Sequence, residues 1–122
     1  MPTEPTPVSL FEVVRRAVDV VDPDGADEGS VEMLRRFEDA DEPVTAIGDV
    51  EQRLAEAAGA IDPQQEDPVV QMVAATATYL AFRRDAVDED PDALLRLAAR
   101  AEYDGHPPEP MASWLSEVGV DV

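Results

Sequence analysis

The chain has 122 residues and a mass of 13.2 kDa, a size typical of a single domain. It carries 28 acidic residues against nine basic ones, all of them arginine, so its formal net charge is −19. Because lysine and cysteine are absent, a Walker-type phosphate loop, a Schiff-base lysine, a thiolate nucleophile and a disulfide framework are excluded. The single histidine, His106, excludes a two-histidine metal motif within the chain.

The first part of the chain predicts a tail followed by a helix. Residues 1–8 are rich in proline and contain no apolar run, so we expect a disordered tail there, without a signal peptide, and a single helical domain over 9–122. Ser9 and Glu12 have the spacing of a capping box, which predicts a first helix over about 9–21.

Two further helices are predicted before residue 60. Ser30 is a suitable N-cap for a second helix that runs to about Ala40. Helical spacing places Val31, Leu34 and Phe37 on its inward face, with Met33 beside them. The third helix is predicted to begin at Pro43 or Thr45, to bury Ile47 among other apolar residues, and to stop at Gly59.

The middle of the chain predicts a buried helix. Residues from Pro68 to Phe82 carry no charge, yet the run is shorter than a membrane span and contains polar side chains. We therefore predict a central helix over about 68–87 that is apolar all round because other helices surround it. A fifth helix opens at Asp90-Pro91 and stops at Gly105, and a short last helix opens at Pro110.

These elements predict an all-α fold, a compact bundle of five to six helices around the central helix. No segment alternates with period two for long enough to form a strand. The sequence alone reveals no internal repeat of fixed length, which argues against a solenoid.

The acidic residues are spread along the chain, and 44% of residues are hydrophobic, so we expect an acidic surface over a patterned core rather than disorder. This composition, with arginine in place of lysine, resembles that of proteins from salt-accumulating halophilic archaea. A GC-rich actinobacterial origin would also explain the missing lysine, but it explains the acidity less well. We expect a cytoplasmic protein without membrane contact, and the net charge makes nucleic acid an unfavourable partner in dilute buffer.

The acidic residues do not predict a metal site. Acidic pairs three residues apart occur about as often as chance predicts for this composition. The acidic loop around Asp22, Asp24, Asp27 and Glu28 departs from the EF-hand pattern, because Ala26 and Met33 occupy positions where calcium ligands belong. We interpret this loop as a solvated turn, and we predict neither a metal nor a cofactor.

One spacing suggests catalysis. Arg100 precedes His106 by six residues, which resembles the Arg-x4-6-His element of the HEPN ribonucleases, a family that is also all-α and of similar size. The resemblance covers seven residues and implies a metal-independent ribonuclease in which Arg100 and His106 cleave RNA. In that family both residues lie on helices, whereas turn residues bracket His106 here, so this remains an alternative hypothesis.

The arginine pairs at 15–16, 35–36 and 83–84 fall in the second halves or at the ends of predicted helices. They are typical of cations that complement the helix dipole and partner nearby acids. If they met in space they would form an anion cradle, which is the basis of a third hypothesis, a helical regulator associated with nucleic acid.

The last predicted helix carries an apolar stripe formed by Met111, Trp114, Leu115 and Val118. We expect this stripe to dock on the chain's own core or on a second copy, and we regard it as the candidate interaction surface. The leading hypothesis is therefore a non-catalytic interaction or regulatory module that uses helix faces to contact a protein partner or itself as a homodimer.

Overall fold

The computed structural model describes residues 9–44, 48–83 and 89–121. Within these ranges the chain forms helices joined by turns and contains no β-strand, which confirms the predicted all-α fold. None of the described helices has both the length and the apolar character needed to cross a membrane. The helices are α1 (Leu10–Val21), α2 (Glu28–Arg36), α3 (Val50–Ile61), α4 (Pro68–Phe82), α5 (Pro91–Tyr103) and α6 (Glu109–Glu117).

Helix α4 is the centre of the bundle and packs against each of the other five helices. Val70, Met72, Val73 and Leu80 on this helix are at most 1% exposed. The prediction of a central apolar helix is therefore confirmed. Its predicted extension to residue 87 is wrong at Arg83, which is already the C-cap and donates its backbone N–H to the Tyr79 carbonyl at 2.8 Å. Residues 84–88 lie outside the described part.

Helix α2 begins and ends earlier than the sequence predicted. Its N-cap is Asp27, whose carboxylate accepts the backbone N–H of Ser30 at 3.2 Å, so Ser30 lies inside the helix rather than before it. The apolar face is also different, because Met33 is fully buried while Val31 is 39% exposed. The prediction that Val31 points inward is therefore wrong. The helix ends at Arg36 and stops short of Ala40.

Helix α3 begins at Val50, so the predicted start at Pro43 is wrong, and Thr45 and Ile47 fall outside the described residues. The segment before α3 instead forms backbone hydrogen bonds with the start of α1. The first two residues of α1, Leu10 and Phe11, donate their backbone N–H groups to the carbonyls of Glu42 and Ala40 at 3.1 and 2.9 Å. These bonds satisfy donors that a helix N-terminus leaves unpaired.

Helix α3 also continues through Gly59, which the sequence predicted as its stop. The helix ends at Ile61, with Asp62 as its C-cap. Glycine is tolerated inside a helix at a modest cost, and the Asp62-Pro63 turn that follows supplies the termination.

Helices α1, α5 and α6 follow their predicted outlines. Ser9 caps α1 by accepting the Glu12 backbone N–H at 3.1 Å, and Asp90 caps α5 by accepting that of Ala93 at 3.3 Å. Helix α5 ends where Asp104 adopts a left-handed conformation, followed by Gly105, which also has a positive φ. Helix α6 begins one residue before Pro110, and its buried residues are Met111 and Leu115.

The structure contains a repeated unit that the sequence pattern did not reveal. Helices α1 and α3 have the same length of 12 residues and occupy positions forty residues apart, and α2 and α4 begin at positions with the same separation. The α1–α2 and α3–α4 connections are equivalent residue by residue. When the two units are aligned, few residues are identical apart from the Asp-Pro dipeptides and the two N-cap aspartates. The repeat is therefore difficult to recognise from the sequence alone.

Each connection is organised by the aspartate at the end of its first helix. The carboxylate of Asp22 accepts the backbone N–H groups of Ala26 and Asp27 at 3.1 and 3.0 Å. The carboxylate of Asp62 accepts those of the equivalent residues, Glu66 and Asp67, at 3.0 and 2.9 Å. We call this arrangement the aspartate-centred turn.

A side chain from the second helix completes each aspartate-centred turn. The Ser30 hydroxyl donates to Asp22, and the Gln71 amide donates to Asp62 at 3.0 Å. The third residue after each aspartate, Gly25 in one turn and Gln65 in the other, has a positive φ of 63° or 55°. The acidic loop after α1 is thus a turn, as predicted, but Asp22 serves as its structural centre instead of facing solvent.

Candidate functional site

A partly uncovered side of α4 lies between α3 and α5, where Ala74 and Thr78 are half-buried. Two cavities of about 310 Å³ each follow this side of the helix and share residues from all three helices. We call their union the α3–α5 groove. Its floor and its two walls are formed chiefly by Ala74, Ala75 and Thr78 of α4, by Glu51 and Ala55 of α3, and by Glu102 of α5.

The groove is wide because many of its residues are small, and its two cavities differ: polar side chains such as Gln65 and Gln71 line one, whereas the cavity beside Phe82 is mainly apolar. Ala55 and Ala101 are exposed on the two walls, and neither has a side chain large enough to close the space over α4. At one end stands Phe82, the last residue of α4, which is 65% exposed and is the most exposed large hydrophobic residue of the described chain. From Gln71 to Phe82 the floor spans eleven residue steps, which corresponds to about 17 Å of helix.

The centre of the groove is negatively charged. Glu51 and Glu102 line both cavities, so their side chains stand on opposite walls near the point where the cavities meet. Burial among neighbouring side chains and the charge of Glu51 raise the pKa of Glu102. Burial and the charge of Glu102 raise the pKa of Tyr103 to about 12. Glu51 and Glu102 are both exposed, so their charges interact across the groove while remaining in contact with water.

A second cluster of acidic residues lies where the two aspartate-centred turns meet. Asp27 and Asp67 are the N-caps of α2 and α4, and both carboxylates converge on Gly29. A Cβ placed on Gly29 would lie 2.9 Å from Asp27 Oδ1 and 3.0 Å from Asp67 Oδ2, and it would overlap a methyl group of Val70. Glycine is therefore required at this position.

The proximity of Asp27 changes the titration of Asp67. Burial, the negative charge of Asp27 and a hydrogen bond with Asp27 raise the pKa of Asp67, although the backbone N–H groups of Val70 and Val69 oppose the rise. Both carboxylates are occupied as helix caps, and the open depression of about 810 Å³ beside them also contains Glu28, Glu32 and Arg35. We therefore assign this cluster a structural role: it joins the two repeated units.

Replacing Asp67 by asparagine tests this assignment. Asparagine caps a helix as well as aspartate does, so Asp67→Asn keeps the cap and removes the repulsion from Asp27. We expect the melting temperature at pH 7 and low salt to rise by about 2 to 4 °C. A raised carboxyl pKa means that the folded state holds the proton above pH 3.8, so the wild type loses stability as the pH rises through the folded pKa.

The advantage of Asp67→Asn should therefore disappear below pH 3.8, where Asp67 is protonated in both states. The matched control is Asp24→Asn, which removes an equal charge from an exposed position of the first turn. Thermal melts of the three proteins at pH 3 and pH 7 supply the comparison. Equal melting temperatures for wild type and Asp67→Asn at pH 7 would contradict the role given to the acid pair.

The pair suggested by the ribonuclease resemblance is placed on the surface. Arg100 lies in the last turn of α5, and His106 follows the left-handed turn at the end of that helix, where its backbone N–H donates to the Tyr103 carbonyl at 2.9 Å. Both residues are exposed, and neither lines the α3–α5 groove. No observation on these residues favours catalysis.

The candidate interaction stripe on α6 is largely turned towards the chain's own core. Met111 and Leu115 are 2% and 1% exposed, and α6 packs on α4. Trp114 is half-buried against the same core, while Val118 is 44% exposed. The stripe was expected to dock either on the chain's own core or on a second copy. In the structure it docks on the chain's own core.

The arginine pairs take part in local contacts. Arg35 and Arg36 both form ion pairs with Glu32, at 3.2 and 3.5 Å, in the last turn of α2. Arg16 donates to the Glu89 carbonyl at 3.0 Å and links α1 to the segment before α5. Arg83 has contacts of its own at the end of α4, and Arg84 lies outside the described residues. These contacts agree with the structural interpretation of the arginine pairs.

Comparison of the chain with protein-family models, with curated proteins and with solved structures finds no match. The functional assignment therefore depends on the geometry of the chain itself. The residues that sequence reasoning missed are Glu51, Phe82 and Glu102. The only sequence signal for them was the uncharged run ending at Phe82, because the two glutamates stand on different helices and meet only through the fold.

Proposed function

We propose that the chain is a small, non-catalytic helical module that binds a protein partner by receiving a helix of that partner in the α3–α5 groove. The observation that carries the proposal is the uncovered face of α4. On the side of this central helix that faces the groove, Ala74 and Thr78 are only half-buried, and the exposed Phe82 stands at the end of the opening. Apolar grooves of this kind recur where one protein receives an amphipathic helix of another.

The dimensions of the groove support a helix as the occupant. Close packing of two helices requires small residues where their axes approach at about 8 to 10 Å, and alanines on the floor and both walls meet that requirement. A floor of about 17 Å matches roughly three turns of a partner helix. Phe82 then supplies a large aromatic contact of the type that dominates binding energy at protein interfaces.

We place the protein in the cytoplasm of a salt-accumulating cell. The support is compositional: 28 acidic residues are spread along the chain, and lysine is absent. At molar salt the Debye length is about 3 Å, so mutual repulsion between these acids is largely screened. In dilute buffer two copies of a chain with a net charge of −19 repel each other, whereas at molar salt this long-range repulsion is screened and does not decide between a second copy and a different protein.

A peptide selection tests the proposed function. The probe is a display library of amphipathic helical peptides of about 18 residues, enough to exceed the length of the groove. The library varies apolar residues on one face, leaves one central position of that face fully random, and is selected against the full chain in 1 M NaCl. Affinities of enriched peptides are then measured by fluorescence anisotropy for wild type and two variants.

The variants place the same bulky side chain at two exposed alanines of α3. Ala55 lines the groove and Ala60 does not, so Ala55→Tyr fills the groove whereas Ala60→Tyr is the matched control. We expect Ala55→Tyr to weaken binding at least about tenfold, or 1.4 kcal/mol, and Ala60→Tyr to change it less than about twofold. Failure to enrich peptides, or enriched peptides that bind Ala55→Tyr as well as wild type, would refute the proposed function.

A further inference from the structure

We infer that the partner helix is basic where it crosses the middle of the α3–α5 groove, with one arginine or lysine side chain seated between Glu51 and Glu102. This inference rests on the proposed function and adds the chemistry of the partner. It follows from the position of the two glutamates, from the ion pairs of the described chain, and from the net charge.

The two carboxylates occupy the centre of the groove. The two cavities that make up the groove overlap at four residues, namely Glu51, Ala75, Thr78 and Glu102. Ala75 and Thr78 form the floor on α4, where the Thr78 hydroxyl donates to the Ala74 carbonyl at 2.8 Å, and the other two place one acid on each wall. A cation that enters along the floor therefore meets a carboxylate from either side.

The chain supplies no cation to this point within the described residues. Their side-chain ion pairs join Arg35 and Arg36 to Glu32, and Arg53 to Glu42. Glu51 and Glu102 take part in none of them. Arg83 borders one of the two cavities at the Phe82 end and has contacts of its own there, and Asp62 at the other end is held by the second aspartate-centred turn.

The local environment increases the effect of a cation supplied by a partner. Burial and the charge of Glu51 destabilise the ionised form of Glu102, and the charge of Glu102 in turn acts on the neighbouring Tyr103. A positive charge placed between the two acids relieves this repulsion directly, although both glutamates are exposed and water screens part of the interaction.

A side chain is a better occupant than a free metal ion or a second copy of the chain. Within the described residues no group of three or more acidic or histidine side chains is arranged to hold a metal. A second copy carries 28 acidic residues against nine arginines, so most of its surface would place further acids at closest approach to the two glutamates. An arginine or lysine on an amphipathic helix combines one positive charge with the apolar face that the rest of the groove requires.

The inference is tested by the residues that are selected at the central random position of the peptide library. After selection on wild type in 1 M NaCl we expect arginine and lysine together to be enriched at that position about fivefold over their share of the starting library. The salt concentration is part of the design. At a Debye length of about 3 Å, general attraction to an acidic surface is screened, whereas a hydrogen-bonded contact at closest approach is screened less.

Two double variants with equal charge changes complete the test. The variant Glu51→Gln/Glu102→Gln converts both central acids to neutral amides. The control Glu38→Gln/Glu117→Gln makes the same change at two exposed acids outside the groove. We expect a selected arginine peptide to bind the first variant about tenfold more weakly than wild type, and the second within about twofold. Replacing the peptide's arginine by glutamine should weaken binding to wild type by a similar factor and leave binding to the central double variant unchanged.

The possible failures are distinct. Peptides that are blocked by Ala55→Tyr but show no basic residue at the central position would overturn this inference and leave the proposed function standing. The inference would also be overturned if both double variants weakened the arginine peptide equally, since net charge alone would then account for binding. A selection that yields no groove-binding peptide refutes the proposed function and this inference with it.

Discussion

Val73→Asp should prevent the chain from folding. Val73 is fully buried on α4, the helix that packs against every other one. An unpaired charge at such a position costs several kcal/mol, which is comparable with the total stability of roughly 5 to 15 kcal/mol expected for a small domain. Far-ultraviolet circular dichroism of the variant should show loss of helix at 25 °C, in both low and molar salt.

The matched control for this change is Val31→Asp. Val31 lies on α2 and is 39% exposed, so the same substitution introduces the same charge at a position that water already reaches. We expect the control to keep its helical spectrum and to melt within a few degrees of wild type. A folded Val73→Asp protein with wild-type stability would show that α4 is peripheral and would overturn the architecture described above.

Asp62→Ala and Asp22→Ala should each lower the free energy of unfolding by about 2 to 3 kcal/mol at pH 7. Each substitution removes a carboxylate that accepts two backbone N–H groups and one side-chain donor. Urea denaturation measures the loss. Asp24→Ala is the control, because Asp24 occupies an exposed position in the same connection, and its substitution should cost less than about 0.5 kcal/mol.

The cost of these two substitutions should depend on pH. Burial alone would raise the pKa of both carboxyls, but hydrogen bonds from Ser30 and Gln71 and from the backbone hold the pKa of Asp22 and of Asp62 below the ordinary value of 3.8. A lowered carboxyl pKa contributes stability above pH 3.8 that is lost as the pH falls through the folded pKa. The difference between wild type and either variant should therefore shrink below pH 3.8. A difference that stays constant down to pH 2 would contradict the turn geometry.

The parts of the fold that could be predicted are those whose signals are local. Ser9 and the Asp90-Pro91 dipeptide mark the starts of α1 and α5 because a capping side chain acts within three residues of itself. The start of α2 was predicted wrongly for the same reason. Asp27 and Ser30 are both good N-cap residues, and only the fold places Ser30 against Asp22 and leaves Asp27 as the cap.

The start of α3 and the groove depend on contacts between distant parts of the chain. The segment before α3 is held by the backbone N–H groups of Leu10 and Phe11, and no local pattern near Pro43 indicates that bond. The uncharged run ending at Phe82 predicted a helix surrounded on all sides. Which side of that helix lacks a neighbour is decided by how α3 and α5 pack, so the opening and its two central glutamates could not be derived from spacing.

The aspartate-centred turn also offers a rule for building helical hairpins. An aspartate has two carboxylate oxygens, so it can accept two successive backbone N–H groups, whereas the single carbonyl oxygen of an asparagine side chain cannot reproduce the pair. Proline next sets φ for the bend, the left-handed position follows two residues later, and a second aspartate opens the next helix. A designer who joins two amphipathic helices with Asp-Pro-x-Gly-x-Asp would encode the stop, the reversal and the restart in six residues, with glycine placed where Gln65 now bears the conformational strain.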